Sequence, residues 1–189
     1  MEPKFIRFKV EVYNAVAIYE YNQFIRKLIY QFKGCYDYVL GDVFLDYYYR
    51  ELKLRYYGYY IIPIPSYEND DEKRGFNHVV ETFKRIGSKT LNILKKIEKH
   101  KQAKSNLKER REVYKSLAIK SNVDLTNRKV LIVDDVYTTG STMKSAINLI
   151  EKLNPKTIKV LVIAKTKHKQ RTNTNEFVLD KNTRGCYYI

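Results

Sequence analysis

The chain of 189 residues contains few cysteines and no long apolar run. Its two cysteines, Cys35 and Cys186, lie far apart in the sequence, so neither belongs to a close pair that could hold zinc or carry out dithiol redox chemistry. No uninterrupted apolar stretch approaches the roughly 18 residues of a membrane span. The N-terminus also lacks an apolar leader with a small-residue cleavage site. We therefore expect structural thiols, no membrane span and a cytoplasmic location.

Positive charge is in clear excess. Lysine and arginine number 36 against 21 acidic residues, which leaves a formal net charge of +15. A positive field of this size attracts partners that carry phosphate, such as nucleotides and nucleic acid. The abundance of lysine, tyrosine, isoleucine and asparagine also indicates a general compositional bias, which would raise the charge without selecting a ligand. Both explanations stand, so the charge alone assigns no function.

The apolar pattern of the first third predicts a hairpin, then helices, then a buried strand. Residues 6–12 alternate between apolar and polar side chains, and residues 15–19 can return as the second strand of a hairpin. Helical spacing follows in residues 22–34 and again in residues 38–54. The run at residues 59–64 is rich in strand-forming residues and predicts a buried strand.

The rest of the chain alternates between helical and strand patterns. The predicted elements are helices at 76–86, 91–97 and 142–153, strands at 130–133 and 157–164, and a cation-rich loop at 99–112. The last strand–helix–strand unit implies a parallel pair of strands. We therefore expect an α/β fold of one domain, with a mostly parallel central sheet flanked by helices.

Three parts are expected along the chain. Residues 1–58 would form a small N-terminal hairpin and helices that act as a hood, without a zinc module. Residues 59–165 would form the core that carries the site, and residues 166–189 a polar C-terminal tail.

One segment carries the residues expected of a binding site. The apolar strand at 130–133 is followed by Asp134 and Asp135, and then by a turn rich in hydroxyl side chains that opens a helix. The turn residues are Thr138, Thr139, Gly140, Ser141 and Thr142. Ligands of open α/β sheets bind at this end of the strands. An ordinary capped helix would explain one hydroxyl residue, but not the whole combination.

Each residue type in the segment suits a phosphorylated sugar. The N–H groups at a helix start and the neighbouring hydroxyls can bind an anion, and Gly140 allows the backbone a close approach. Asp134 and Asp135 can accept hydrogen bonds from sugar hydroxyls or hold Mg²⁺. The turn has no lysine, so the GxxxxGK[ST] pattern of nucleoside-triphosphate P-loops is absent. One phosphate and one diol together describe a ribose 5-phosphate group.

The segment resembles the phosphoribosyl pyrophosphate signature of type I phosphoribosyltransferases. Three further blocks resemble one branch of that superfamily, the competence protein F family of amidophosphoribosyltransferase-like proteins associated with DNA uptake. These blocks comprise Tyr19, Phe24, Ile25, Arg26, Leu28, Ile29, Phe32, Lys33 and Gly34; Pro63, Ile64 and Pro65 with Arg74, Gly75, Phe76 and Asn77; and Gln102, Leu107, Arg110 and Arg111. With the acidic segment, they cover residues 19–164.

The resemblance implies roles for individual residues. Asp134 and Asp135 would bind the ribose 2′ and 3′ hydroxyls and hold Mg²⁺ directly, through these hydroxyls or through water. The turn from Thr138 to Thr142 would hold the 5′-phosphate. Arg74 is the third expected catalytic residue beside the two aspartates, since its guanidinium can pair with a phosphate. The expected pyrophosphate side comprises Pro65, Ser66, Lys101, Arg110 and Arg111, the last three on a loop that would close over the ligand.

Three differences limit what the resemblance implies. Many competence F proteins begin with a four-cysteine zinc module, which this chain lacks, and Glu112 stands where their loop usually has asparagine. In purine-salvage relatives an acid that assists the base occupies the position of Thr138. Salvage of hypoxanthine or guanine is therefore disfavoured.

Two functions from different classes stay open. We favour an enzyme that displaces pyrophosphate from C1 of the ribose with a nitrogen nucleophile. The alternative is a non-catalytic scaffold that senses nucleotides or binds single-stranded DNA beside a DNA-uptake helicase, with tyrosines at 47–49 and 56–60 stacking on bases, although core packing explains these rings at least as well. His78, His100 and His168 lack metal spacing and indicate surface or supporting roles. The acceptor and the formation of a homo-oligomer are also open.

Overall fold

A central six-stranded sheet organises the chain. The structure, a computed structural model, describes residues 5–34, 40–66, 71, 75–97, 117–121 and 123–167. The central sheet has the order β1-β2-β8-β7-β3-β4, and β5 and β6 form a separate pair. The strands are β1 (Ile6–Val10), β2 (Tyr13–Glu20), β3 (Tyr59–Pro63), β4 (Lys89–Thr90), β5 (Leu94–Lys96), β6 (Leu117–Ile119), β7 (Lys129–Tyr137) and β8 (Thr157–Lys165).

The central sheet is parallel except at one margin. β4, β3, β7, β8 and β2 pair in parallel with their neighbours, and β1 runs antiparallel to β2. A helix at Ser141–Glu151 crosses from β7 to the parallel β8, as the sequence predicted. The expected α/β fold with a mostly parallel sheet is therefore confirmed. Because parallel strands end at one edge, the carboxyl ends of β3, β7 and β8 lie together.

Helices cover both faces of the sheet. On one face, α1 (Gln23–Gly34), α3 (Tyr49–Arg55) and α4 (His78–Phe83) pack against β7 residues of odd number, such as Leu131 and Val133. The chain between α1 and α3 contains α2 (Leu40–Val43) and a 3-10 helix (Asp46–Tyr48). On the other face, α5 (Ser141–Glu151) and the β5–β6 pair pack against even-numbered residues of β7, including Val130 and Ile132. The two layers follow from the alternation of side chains along a strand.

The predicted N-terminal hairpin is present and forms a margin of the sheet. β1 and β2 turn at Glu11, which has a φ of 54°. β2 then pairs with β8 from Ala15 opposite Val160 to Glu20 opposite Lys165. Backbone pairing thus fixes the hairpin beside β8, and the role of the N-terminal segment as a hood stays a prediction. The domain boundaries at residues 58 and 165 stay predictions.

Helix α1 forms where the sequence predicted it. The side chain of Asn22 accepts a hydrogen bond of 2.9 Å from the backbone N–H of Ile25 and caps the first turn. Ile25, Ile29 and Phe32 recur at helical spacing and are buried against the sheet. The helix therefore has a fixed position, and its C-terminal turn lies near the carboxyl edge.

Three predicted helices differ from the structure. The helix predicted at 38–54 is divided, from Leu40 on, into α2, the 3-10 helix and α3, and residues 38 and 39 lie outside the described residues. The helix predicted at 76–86 is helical only from His78 to Phe83. The helix predicted at 91–97 is wrong, because β5 in that interval pairs antiparallel with β6. The apolar residues in this interval are three apart, which is also the spacing of a helix face. The strand β6 with which β5 pairs lies much later in the sequence, so the local pattern could not reveal the pairing.

Two further expectations concern the whole chain. In the parts of the chain that the structure describes, no helix is long and apolar enough to cross a membrane. The predicted loop at 99–112 lies outside the described residues, and so does the tail beyond residue 167.

Candidate functional site

The two aspartates lie inside β7 and not beyond its end. The strand was expected to stop at Val133, but its pairing with β8 continues to Tyr137 opposite Lys165. On the other side, β3 pairs with β7 only as far as Pro63 opposite Val133. The N–H of Ile64 donates a further hydrogen bond to the carbonyl of Val133, and residues 64–66 then line a cavity together with Asp134 and Asp135.

The two aspartates follow different apolar layers of the sheet, although both line one cavity. Leu131 and Val133 belong to the apolar layer under α1 and α4, so Asp135 continues that face. Val130 and Ile132 belong to the layer under α5, so Asp134 continues the other face. Adjacent residues of one strand therefore have different surroundings at the same edge.

Asp135 is held by groups from two helices. Asp135 is only 7% exposed, and its Oδ2 forms an ion pair with Nζ of Lys33 from α1 and lies 3.4 Å from Nε2 of His78 from α4. Its Oδ1 accepts a hydrogen bond of 2.7 Å from the N–H of Val136. Burial alone would raise the pKa of Asp135, but the hydrogen bond from His78 and the charge of Lys33 outweigh it and hold the pKa well below its usual range.

Asp134 has the opposite electrostatic character. Its Oδ1 accepts a hydrogen bond of 2.8 Å from the N–H of Asp135. Burial, together with the negative charge of Asp135, raises the pKa of Asp134 well above its ordinary value. Asp135 is therefore firmly ionised, whereas the ionised form of Asp134 is destabilised. A bound cation or a hydroxyl donor would stabilise the ionised form of Asp134.

His78 connects Asp135 to the chain that follows β3. His78 is 5% exposed, its Nδ1 lies 3.3 Å from Oγ of Ser66, and its ring makes a T-shaped contact with the ring of Phe32. The prediction of a surface role is therefore wrong for His78, and a supporting role in the site fits its contacts. Asn77 caps α4, since its Oδ1 accepts a hydrogen bond of 2.9 Å from the N–H of Val80.

The turn after β7 exposes its hydroxyl side chains. Thr138, Thr139 and Ser141 are exposed, and Oγ1 of Thr139 lies 3.0 Å from Oγ of Ser141. Gly140 is buried with a φ of 77°, and a β-carbon there would lie 2.2 Å from the hydroxyl oxygen of Tyr137. Only glycine fits this position without strain. The turn therefore presents backbone N–H groups and hydroxyls at the start of α5, as an anion site requires.

A cavity of about 260 Å³ joins these features. Its lining residues are Lys33, Ile64, Pro65, Ser66, His78, Val79, Lys96, Asp134, Asp135 and Thr142. The structure thus brings together the acidic pair, one turn residue and the expected pyrophosphate-side residues Pro65 and Ser66. A second cavity of about 140 Å³ shares Pro65, Ser66 and Lys96 with the first and adds Lys95 and Lys120.

Some expected residues cannot be located, and others were not expected. Arg74, Lys101, Arg110 and Arg111 lie outside the described residues. Lys33 and Lys96 line the larger cavity although no site role was predicted for them, and so does His78, for which a surface or supporting role was predicted. Two of them had a signal in the sequence, because Lys33 belongs to the N-terminal block and His78 directly follows the block that ends at Asn77.

The donor set suits Mg²⁺ only in part. Carboxylate oxygens are the hard ligands that Mg²⁺ prefers, and this ion is commonly held by one or two carboxylates with substrate phosphates and water. Both oxygens of Asp135 already have partners, and the described residues contain no group of three or more histidine, cysteine or acidic side chains able to hold a metal. Asp134 is therefore the residue that would bind the ion, with ligand oxygens and water completing its shell.

Comparison with known proteins gives concordant matches. The family model described as phosphoribosyl transferase domain matches residues 72–183. The chain is 32% identical over 149 residues to competence protein ComFC of Streptococcus pneumoniae, covering 79% of this chain and 67% of that protein. It is 34% identical over 114 residues to competence protein F of Haemophilus influenzae, covering 56% and 49%. A hypoxanthine phosphoribosyltransferase structure from Staphylococcus aureus is 14% identical with a TM-score of 0.44, covering 68% of this chain and 74% of that one.

Proposed function

Because the chain belongs to the phosphoribosyl transferase domain family, in its competence protein F branch, we propose that it binds phosphoribosyl pyrophosphate with Mg²⁺. The cavity that joins Asp134 to the start of α5 carries this proposal. One end of the cavity offers carboxylates for hydroxyl groups, and the other offers N–H and hydroxyl donors for a phosphate. A 5-phosphorylated ribose has both groups in one molecule.

Each part of the ligand has a matching part of the site. The 5′-phosphate would lie against the turn from Thr138 to Thr142, where Gly140 permits close approach. The ribose hydroxyls would donate hydrogen bonds to Asp134 and Asp135. The pyrophosphate would lie toward Pro65 and Ser66, where the smaller cavity supplies three lysines. Arg74, Lys101, Arg110 and Arg111 remain proposed contacts on that side.

The chemistry proposed for the site is transfer of the phosphoribosyl group to a nitrogen nucleophile. The nitrogen lone pair would form a bond to C1 while the bond from C1 to the pyrophosphate oxygen breaks, and the pyrophosphate would leave with the bonding electrons. The nucleophile would then lose a proton to water. Lysine ammonium groups near Ser66 would stabilise the leaving charge. Bound Mg²⁺ would add further neutralisation of the pyrophosphate.

A ligand series tests the binding proposal. Affinities of phosphoribosyl pyrophosphate with Mg²⁺, ribose 5-phosphate and ribose would be measured by isothermal titration calorimetry. We expect affinity to fall in that order, with at least about tenfold lost when the 5-phosphate is removed, because charge-assisted hydrogen bonds contribute about 1.5–3 kcal/mol. Equal affinity for ribose and ribose 5-phosphate would contradict a phosphate site at the turn.

Pyrophosphate release then separates an enzyme from a sensor. A panel of nitrogenous acceptors would be offered with phosphoribosyl pyrophosphate and Mg²⁺. Release that depends on one acceptor supports the transferase. Tight binding without release for any acceptor class would favour the non-catalytic, nucleotide-sensing alternative.

Single-stranded DNA is a second candidate ligand. It is supported by the net charge of +15, by the competence names of the relatives, and by the high exposure of Tyr47 and Tyr57. Tyr56 and Tyr59, by contrast, are buried, and Lys159 lies 5.1 Å from the centre of the Tyr59 ring. Part of the predicted stacking surface is therefore core. A DNA-uptake helicase would be the partner in this case.

Salt dependence distinguishes the two ligands. DNA binding releases counterions and weakens steeply as salt rises, whereas one phosphoribosyl group responds much less. We would measure fluorescence anisotropy of a labelled oligonucleotide at several salt concentrations. Absence of binding even at low salt would remove DNA as a candidate ligand.

A further inference from the structure

The pocket contains a built-in cation next to its buried acid. Lys33 lies in the last turn of α1, where the helix dipole favours positive charge. Its neighbour Phe32 is 1% exposed and packs against the rings of Phe44 and Phe76, so the end of the helix is anchored. The Lys33 side chain is 38% exposed and forms an ion pair with Oδ2 of Asp135. It is therefore fixed at one end and accessible from the cavity.

Both oxygens of Asp135 have close partners, and a cation already lies on Oδ2. The N–H of Val136 uses Oδ1, while Lys33 and His78 share Oδ2. A divalent cation on Oδ2 would have to displace the ammonium, since two positive charges on one oxygen repel strongly. Asp134 accepts the N–H of Asp135 on its Oδ1 and lines the same cavity.

We infer that Lys33 is a binding residue of the phosphoribosyl site and takes the place of a metal ion at Asp135. Its ammonium has three donors, and those not used by Asp135 can bind a ribose hydroxyl or a pyrophosphate oxygen. The ligand contact of Lys33 rests on the proposed function, which supplies the phosphoribosyl ligand. One metal ion, on the side of Asp134, then suffices for the pocket.

Metal binding to the ligand-free protein tests the first half of this inference. Mn²⁺ would serve as a probe for Mg²⁺, with the free ion followed by electron paramagnetic resonance. Lys33→Met should bind Mn²⁺ at least about tenfold more tightly than the wild type, because Asp135 regains a free oxygen next to Asp134. Adding Asp135→Asn to Lys33→Met should abolish that gain.

Two variants serve as controls for the metal titration. Lys27→Met removes the same charge from an exposed position of the same helix and should behave as the wild type. Lys33→Arg keeps a cation beside Asp135 and should also show no gain. Equal Mn²⁺ affinity in the wild type and in Lys33→Met would overturn the role of Lys33 as a metal substitute.

Binding of ribose 5-phosphate in excess EDTA tests the second half. We expect the wild-type protein to bind ribose 5-phosphate without metal. Lys33→Met should bind it at least about tenfold more weakly, because one charge-assisted hydrogen bond is lost. Lys27→Met keeps that hydrogen bond, so its affinity should stay within about twofold of the wild-type value. Equal affinity in Lys33→Met and the wild type would remove Lys33 from the ligand contacts. If the wild type fails to bind with or without Mg²⁺, the proposed function fails, and the Mn²⁺ result still decides the metal role.

Discussion

Nε2 of His78 lies 3.4 Å from Oδ2 of Asp135, and both side chains are buried. The other ring nitrogen of His78 lies 3.3 Å from Oγ of Ser66. One imidazole therefore connects the ribose side of the proposed site with its pyrophosphate side, and α4 and β7 are linked through a polar contact inside an apolar layer.

Replacing His78 with leucine should destabilise the fold. We expect His78→Leu to lower the free energy of unfolding by about 1–3 kcal/mol, because the buried Asp135 loses one of its donors. His78→Gln keeps a donor of similar reach and should lose less. Urea denaturation of both variants measures the difference, and an unchanged stability of His78→Leu would show that the contact with Asp135 contributes nothing.

The two aspartates should respond to substitution in opposite directions at pH 7. Burial and the charge of Asp135 raise the pKa of Asp134, so its favourable contribution is present in acid and is lost as the pH rises above about 4. Asp134→Asn should therefore raise the free energy of unfolding at pH 7, and the gain should shrink toward pH 4. Denaturation at several pH values checks both statements.

Asp135→Asn provides the matched comparison. The donors around Asp135 lower its pKa, so its contribution is present above about pH 4 and is lost as the pH falls below that value. We expect Asp135→Asn to lower the free energy of unfolding at pH 7 by about 1–3 kcal/mol. Changes of the same sign in Asp134→Asn and Asp135→Asn would contradict the different surroundings of the two carboxylates.

Gly140 and Gly58 form a second matched pair. Both have positive φ, 77° and 78°, so alanine costs about 1–2 kcal/mol of backbone energy at either position. Only at Gly140 would the new β-carbon also collide with Tyr137, whose ring lies 4.7 Å from that of Phe8. Gly140→Ala should therefore be the more destabilising variant in thermal unfolding. The difference should vanish in a Tyr137→Ala background, and its persistence would locate the strain elsewhere.

Ser66 should affect pyrophosphate more than ribose phosphate. It lines both cavities and follows β3, whereas Thr142 lines only the larger of the two. We expect Ser66→Ala to lower the affinity for inorganic pyrophosphate by up to about tenfold, because one hydrogen bond is lost. The affinity for ribose 5-phosphate should stay within about twofold of the wild-type value. Competition titrations would measure both, and an equal loss for both ligands would argue against a separate pyrophosphate side.

Local patterns predicted the parts of the fold that are long and regular. The β7–α5–β8 unit and α1 have enough apolar residues for their period to be visible, and the family resemblance is confirmed by the domain match and the competence relatives. β4 and β5 are too short to have a period, and β5 depends on a partner, β6, that lies far along the chain. β7 extends through Asp134 and Asp135 because pairing with β8 overrides the weak strand preference of aspartate.

The acidic pair and the turn were visible in the sequence because they are contiguous. The contacts of Lys33 and His78 with Asp135 were not visible, because the two residues reach Asp135 from separate helices and only tertiary packing brings the three together. A single histidine or lysine forms no spaced motif with other residues, so its contact partner cannot be inferred from the sequence. Contacts that join distant elements are therefore the part of the site that the structure adds.

Calorimetric titration of phosphoribosyl pyrophosphate and Mg²⁺ into wild-type protein and into Asp134→Asn tests the proposed function most directly. Asp134→Asn suits this comparison because we expect it to fold at least as stably as the wild type. We predict that the wild type binds and that Asp134→Asn loses at least about tenfold in affinity, since a charge-assisted hydrogen bond to the ribose disappears. No binding by a well-folded wild type, or equal binding by Asp134→Asn, would contradict a phosphoribosyl site at the end of β7.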